Sequence, residues 1–236
     1  MIIDADCHIS ATRQGGNSID AEELLRRMDR AGVDQALTWL QPPYRREVDE
    51  SNRYVHESVR RYPDRLLGFG WADPNLGLES ARQTVTRCIA EYGFYGVKLN
   101  GAQNSFPIDD PEKALPLIEL LAEAGGRLAL HIGADSYNNT HPFRLQRIAQ
   151  RFPQLPILAV HMGGASFDDM SDLVIEVARQ HANIQPVGSA IRSVPILNAV
   201  TKLGAGRICF GSDTPFELMH VEVARYRALL TDQVSP

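Results

Sequence analysis

Cysteine is scarce in this chain: three residues in 236, Cys7, Cys88 and Cys209, an odd number with no two close together. That argues against a disulfide framework and a zinc–thiolate cluster, and points to buried thiols in a reducing compartment. Long apolar runs are missing too. None approaches the roughly 18 residues that a membrane helix needs, and no basic segment followed by an apolar stretch opens the sequence. A cytoplasmic protein away from any membrane is therefore expected. Basic runs are equally absent: 24 Lys and Arg are mixed with 29 Asp and Glu, for a net charge of −5. Such a surface offers nucleic acid no electrostatic footprint.

What the chain does contain is a repeat of short apolar strand, polar loop and amphipathic helix. Strands are expected at 2–7, 35–40, 66–71, 95–99, 127–132, 157–161, 184–187 and 207–211. Helices are expected at 21–31, 48–61, 78–92, 112–124, 142–151, 167–181, 195–203 and 220–230. Ser18 or Asp20 caps the first helix, Gly32 stops it, and Pro42-Pro43 ends the second strand. Eight strands alternating with eight helices is the count of a closed (β/α)8 barrel, and near-continuous apolar strands suit a sheet covered on both faces. An open doubly wound sheet is the rival, but no Gly-x-Gly-x-x-Gly turn follows the first strand. One domain over 1–236 is expected, with long loops at 100–111 and 133–140 shaping a pocket.

In such barrels the active site lies at the carboxyl ends of the strands, and ionisable residues collect there. Period-two alternation puts Ile2, Asp4, Asp6 and His8 on one face of the first strand, which is either a solvated terminus or a pair, Asp6 and His8, sharing a cation. Lys98 ends the fourth strand, His131 the fifth, His161 the sixth, and Asp213 follows the eighth. Three histidines and two carboxylates at one end of a barrel favour a bound divalent metal. Imidazole and carboxylate without thiolate suit Zn2+, Mn2+ or Fe2+. Asp4 lies deeper, as a group that orients its neighbours. His56 and His181 are expected to face solvent, while His141 and His220 lie on loops of the active face. The apolar, aromatic loop 39–44 is a candidate contact for a homo-oligomer.

These residues carry a family resemblance. From Ile2-Ile3-Asp4-Ala5-Asp6-Cys7-His8, through Gly96-Val97-Lys98-Leu99, His131 and His161-Met162-Gly163-Gly164, to Phe210-Gly211-Ser212-Asp213-Thr214-Pro215, the chain resembles the amidohydrolase superfamily. Within it the likeness is to the amidohydrolase-related branch that includes aminocarboxymuconate-semialdehyde decarboxylase-like enzymes. The resemblance implies one divalent metal held by Asp6, His8, His131 and Asp213, with His161 a catalytic neighbour. Asp6 stands where most relatives have histidine, and relatives with an acid there include decarboxylases of aromatic acids. An extra anionic ligand weakens the Lewis acid and favours a harder cation such as Mn2+, although Zn2+ is the leading expectation. Relatives also continue into a closing segment after the eighth helix, which this sequence does not show. Lys98 is expected to contact a substrate carboxylate or a site acid such as Asp6, rather than to be carbamylated between two metals. Arg192 is a further candidate anion clamp, against the reading of an ordinary surface arginine.

The leading functional expectation is metal-dependent hydrolysis of a small carboxylated ester, lactone or amide. Asp213 would accept a proton from the metal-activated water and His161 would orient it. The alternative is non-oxidative decarboxylation of a small aromatic acid, with Asp213 protonating the carbon that loses CO2 and Lys98 or Arg192 seating the acid. A non-catalytic ligand-binding barrel is the third.

Overall fold

The computed structural model describes residues 1–12, 17–42, 47–165 and 170–234. Strand β1 (Ile3–Ile9) is followed by α1 (Ala21–Ala31), β2 (Gln35–Leu40) and α2 (Val48–Arg61). Strand β3 comes in two pieces, Leu66–Gly68 and Gly70–Trp71. They belong to one path, because Phe69 between them still donates its N–H to Thr38 O at 3.0 Å. Helix α3 (Leu78–Thr86) runs on into a wider π turn, Arg87–Glu91. Then come β4 (Gly96–Leu99), α4 (Leu115–Glu123), β5 (Arg127–His131), α5 (Pro142–Arg151), β6 (Ile157–Val160) and α6 (Ser171–Gln180). The series ends with β7 (Ile184–Gly188), α7 (Ser193–Leu203), β8 (Cys209–Phe210) and α8 (Met219–Val234).

The local chemistry behind these elements is that of α1. Asp20 Oδ1 accepts from Glu23 N at 2.8 Å, which satisfies one of the orphan donors of the first turn. Leu24, Met28 and Ala31 recur at helical spacing and are buried, and Gly32 ends the helix at φ +69°.

All neighbouring strands pair in parallel and in chain order. The ring closes where β1 meets the segment after β8: His8 N donates to Thr214 O at 2.7 Å, beside a Cys7–Thr214 bridge. The result is the expected (β/α)8 barrel. Its interior is plugged by side chains that include Ala5, Trp39, Phe69, Ala129, Leu158 and Val187, while a larger apolar layer lies between strands and helices. The plug makes the barrel a packed core with function left to one rim.

Several expectations need correction. Strict alternation fails in β1: Asp4 pairs with Ala36 and Cys7 with Thr38, so Ala5 and Asp6 lie opposite the single residue Leu37. This bulge breaks the single face assumed for Ile2, Asp4, Asp6 and His8. The loop expected at 100–111 contains a helical turn, Gly101–Asn104, because Asn100 Oδ1 caps it by accepting from Ala102 N and Gln103 N. The loop at 133–140 likewise contains Tyr137–Thr140. His56 does not project into solvent but stacks on Tyr92 with ring centroids 4.4 Å apart. Trp39, assigned to a surface contact, is fully buried; residues 43–44 of that loop, and 167–169 of the sixth expected helix, lie outside the described residues. The three cysteines are free, with Cys7 and Cys88 buried, and burial pushes the Cys88 thiol up to about 12. Among the described residues no helix is long and apolar enough to cross a membrane.

Candidate active site

The parallel strands deliver their last residues to one rim, and there the barrel opens into a cavity of about 170 Å3. His8 from β1, Lys98 from β4 and His131 from β5 line it, with His161 and Asp213 from the turns after β6 and β8. Gln103, Pro42 and Phe216 complete much of the wall. Asp6 lies behind this wall, fully buried. The backbone is bent to present two of these groups. His161 has φ +68° and Asp213 φ +56°, left-handed conformations that L-residues adopt at a cost and that cluster at functional sites.

Asp6 is the electrostatic centre. Its Oδ1 lies 3.8 Å from Lys98 Nζ and 3.4 Å from His8 Nε2. Burial alone would raise its pKa, but Lys98 foremost, with His8 and His161, outweighs that and holds the carboxylate ionised far below the usual range. Lys98 is itself 1 % exposed, and burial draws its pKa down against the pull of Asp6 and Asp213. Its ammonium sits over the Trp39 ring at 3.8 Å from the centroid, a cation–π contact that replaces part of its lost hydration.

The imidazoles are oriented one by one. His8 Nδ1 lies 2.8 Å from Leu40 O, so Nδ1 carries the proton. His8 Nε2 stands 3.5 Å from Asp213 Oδ1 and receives the Trp39 indole N–H at 3.0 Å. Burial disfavours a charged His8, yet Asp213 and Asp6 push its pKa upward. The indole can only donate, so the Trp39 bond requires the neutral ring, and the short bonds to Leu40 and Trp39 decide for that form. His161 Nδ1 faces Ser189 O at 3.2 Å and Ser189 Oγ at 3.0 Å, which leaves Nε2 as its acceptor. Burial lowers the His161 pKa to about 4, so it is neutral near pH 7. His131 Nε2 is engaged by Asp135 Oδ1 at 2.9 Å, and Gly133 leaves room for that pair, since a Cβ there would lie 2.4 Å from Asp135 Oδ1.

Below the site, Asp4 Oδ1 accepts from Asp6 N at 3.1 Å and from Ser212 N at 2.9 Å. It thereby ties the residue before Asp213 to β1. Burial raises its pKa to about 7.

The donor set fits a divalent cation. One ligand atom each from Asp6, His161 and Asp213 lies within 4.8 Å of the others, and Asp6 Oδ1 is buried without a hydrogen-bond partner. That oxygen faces the Lys98 ammonium only at 3.8 Å, beyond hydrogen-bond reach, so its lone pairs are open to a closer cation.

Of the residues singled out in the sequence, the fold brings Asp6, His8, Lys98, His131, His161 and Asp213 together. Arg192 stands apart, exposed, on a second cavity of about 380 Å3 that meets the first at Ala190. Trp39, Asp135 and Ser189 were not singled out as site residues. Trp39 lies one residue from the end of an apolar strand, a position that signals either core or rim. Ser189 follows β7, and no side-chain pattern in the sequence marks it.

The profile of the family described as Amidohydrolase matches residues 3–232 of the chain. A gamma-resorcylate decarboxylase from Polaromonas sp. (strain JS666 / ATCC BAA-500) is 22% identical, over 83% of this chain and 77% of that protein. A 2-amino-3-carboxymuconate-6-semialdehyde decarboxylase from Dictyostelium discoideum is 24% identical, over 86% of this chain and 68% of its own length. Among solved structures, a dihydroxybenzoic acid decarboxylase from Polaromonas sp. JS666, with bound manganese and the inhibitor 2-nitroresorcinol, superposes with a TM-score of 0.75. It is 19% identical, covering 96% of this chain and 90% of its own. These relatives overturn the expectation of a hydrolase, since they are decarboxylases.

Proposed function

The chain belongs to the amidohydrolase family, and from that premise we propose that it is a metal-dependent, non-oxidative decarboxylase of a small hydroxylated aromatic acid. The observation that carries this reading is the size and lining of the cavity. A dry void of about 150 Å3 accepts benzene, so about 170 Å3 suits one substituted ring. Among the described residues that line it, Asp213 is the carboxylate and Lys98 the cation. That pairing fits an acid that must be held by its charge and given a proton. The decarboxylase relatives support it.

In this proposal Asp6 and Asp213 are the carboxylate ligands of a metal, with His8, His131 and His161 the imidazoles around them; His131 would exchange Asp135 for the ion. A bound divalent cation would supply positive charge for the substrate carboxylate or its neighbouring hydroxyl. Mn2+ is proposed in place of Zn2+, because Asp6 adds a hard anionic donor and the Polaromonas structure holds manganese. Lys98 contributes a second cation at the cavity wall. Asp213 carries a proton to the ring carbon that bears the carboxylate. The new C–H bond forms, the C–C bond breaks, its electron pair restores the aromatic ring, and CO2 leaves. His161 is neutral, and with Nδ1 engaged by Ser189 its Nε2 lone pair is the one it would offer to the ion beside Asp6 and Asp213.

The test is CO2 release from a panel of mono- and dihydroxybenzoic acids by the manganese-loaded chain, with phenol formed in equal amount. Turnover that stops on chelation and returns with Mn2+ is expected. No CO2 from any panel member, with stoichiometric metal bound, would overturn the reading.

A further inference from the structure

We propose that Trp39 is a positioning residue whose indole N–H competes with a metal ion for the ligating nitrogen of His8, and must release that nitrogen when a metal is bound. This rests on the metal reading above and adds a step to it. His8 has one lone pair to give. Its Nδ1 lies 2.8 Å from the Leu40 carbonyl, which can only accept, so that nitrogen is spent as a donor. The remaining nitrogen, Nε2, is the one aimed at Asp6 Oδ1 and Asp213 Oδ1, at 3.4 and 3.5 Å. The same Nε2 receives the Trp39 N–H at 3.0 Å. One in-plane lone pair cannot serve an indole proton and a metal ion together.

Trp39 is placed to hold that position rather than to pass through it. The side chain is fully buried, with Phe69 packed against its ring at 5.9 Å between centroids and the Lys98 ammonium 3.8 Å from its own centroid. Its N–H therefore has no water to turn to, and a buried donor without an acceptor is costly. The bond keeps His8 in the Nδ1–H tautomer, the form a metal needs, and keeps a proton from settling on Nε2 between two carboxylates. Metal binding then competes with one neutral hydrogen bond. That competition sets a limit on affinity which ligand distances alone would miss.

The chain has two tryptophans, and the second provides an internal control. Trp71 Nε1 donates to Asn104 Oδ1 at 2.9 Å, in a network that includes Asn52 and Asp73. With 15N-labelled indoles the protein gives two N–H resonances, assigned by Trp39→Phe. Zn2+, which is diamagnetic, is titrated at pH 8 while calorimetry follows binding. The Trp39 resonance is expected to move in proportion to bound metal, and the Trp71 resonance to stay. Trp39→Phe, which keeps an aromatic face for Lys98 but has no N–H, is expected to bind Zn2+ about two- to tenfold more tightly, the worth of one such bond. If Zn2+ binds stoichiometrically and the Trp39 resonance does not move, or if Trp39→Phe binds no more tightly, the displacement is wrong while the metal site stands. If calorimetry finds no bound metal, the metal reading itself falls and takes the displacement with it.

Discussion

Ser189 Oγ donates to Asp6 Oδ2 at 2.5 Å while standing 3.0 Å from His161 Nδ1. One hydroxyl from the end of β7 thus fixes a carboxylate from β1 and an imidazole from the turn after β6. In the proposed metal site Ser189 orients two ligands, and groups with that task typically matter ten- to hundredfold to metal affinity. Ser189→Ala is expected to lower Mn2+ affinity by roughly that factor, with an unchanged circular dichroism spectrum. Calorimetry that finds equal affinity in the variant would remove Ser189 from the orienting set.

The two carboxylates have separate tasks in the proposed reaction. Asp213 lines the cavity, whereas Asp6 lies behind it with no exposed surface. Asp213→Asn removes the proton donor while nearly keeping shape, and general-acid groups are worth roughly a hundred- to ten-thousandfold in rate. At saturating Mn2+, with metal content verified, kcat is expected to fall by that range while the affinity for an unreactive substituted benzoate changes little. Turnover within tenfold of the wild type would assign the proton to another group.

Lys98 and Asp6 form a buried ion pair, and removing one partner of such a pair leaves the other charge uncompensated at a cost of about 3–5 kcal/mol. Lys98→Met is therefore expected to lower the stability of the metal-free chain by an amount of that order. A divalent cation beside Asp6 would replace the missing charge. The loss should then shrink when Mn2+ is present, because ligand binding to the folded state adds stability by mass action. Thermal melts of both proteins with and without Mn2+ measure this. A deficit of the same size in both conditions would mean that the metal does not sit beside Asp6.

These predictions draw on two kinds of residue that differ in how the sequence reveals them. His131, His161 and Asp213 were legible because each ends or closely follows an apolar strand, and the barrel sends all such ends to one rim. The boundaries of α1, α2 and α5 were legible as well: apolar spacing marks all three, Asp20 and Gly32 bound the first, and Pro142 opens the last. Trp39 and Ser189 were not. Their roles come from hydrogen bonds to residues 31 and 183 positions away, and no local period records such partners. The bulge in β1 escaped for a related reason. It is a property of the pairing between β1 and β2, and alternation within one strand cannot show it. Hydrolysis was put ahead of decarboxylation on residues that serve both, a metal and an acid–base carboxylate, and the relatives, which are decarboxylases, overturn that preference.

Asp4 permits a test of the buried charge balance in the metal-free chain. In the unfolded chain an aspartate ionises near pH 3.8, while burial raises the folded value to about 7. Between those values the folded protein holds a proton that the unfolded chain has lost. Stability from this group is therefore complete below pH 3.8, falls as pH rises, and is lost above about 7. Other groups titrate in the same range, so the comparison must isolate Asp4. Asp4→Asn cannot ionise, and its amide oxygen can still accept from Asp6 N and Ser212 N. The variant is expected to gain on the wild type from pH 4 to 7 and to hold a constant margin above that. At about 1.4 kcal/mol per pH unit, the gain is at most about 4 kcal/mol. Urea unfolding of both metal-free proteins from pH 4 to 8 supplies the difference. Parallel curves across the whole range would show that folding does not raise the Asp4 pKa and that Asp4 is charged in the folded chain.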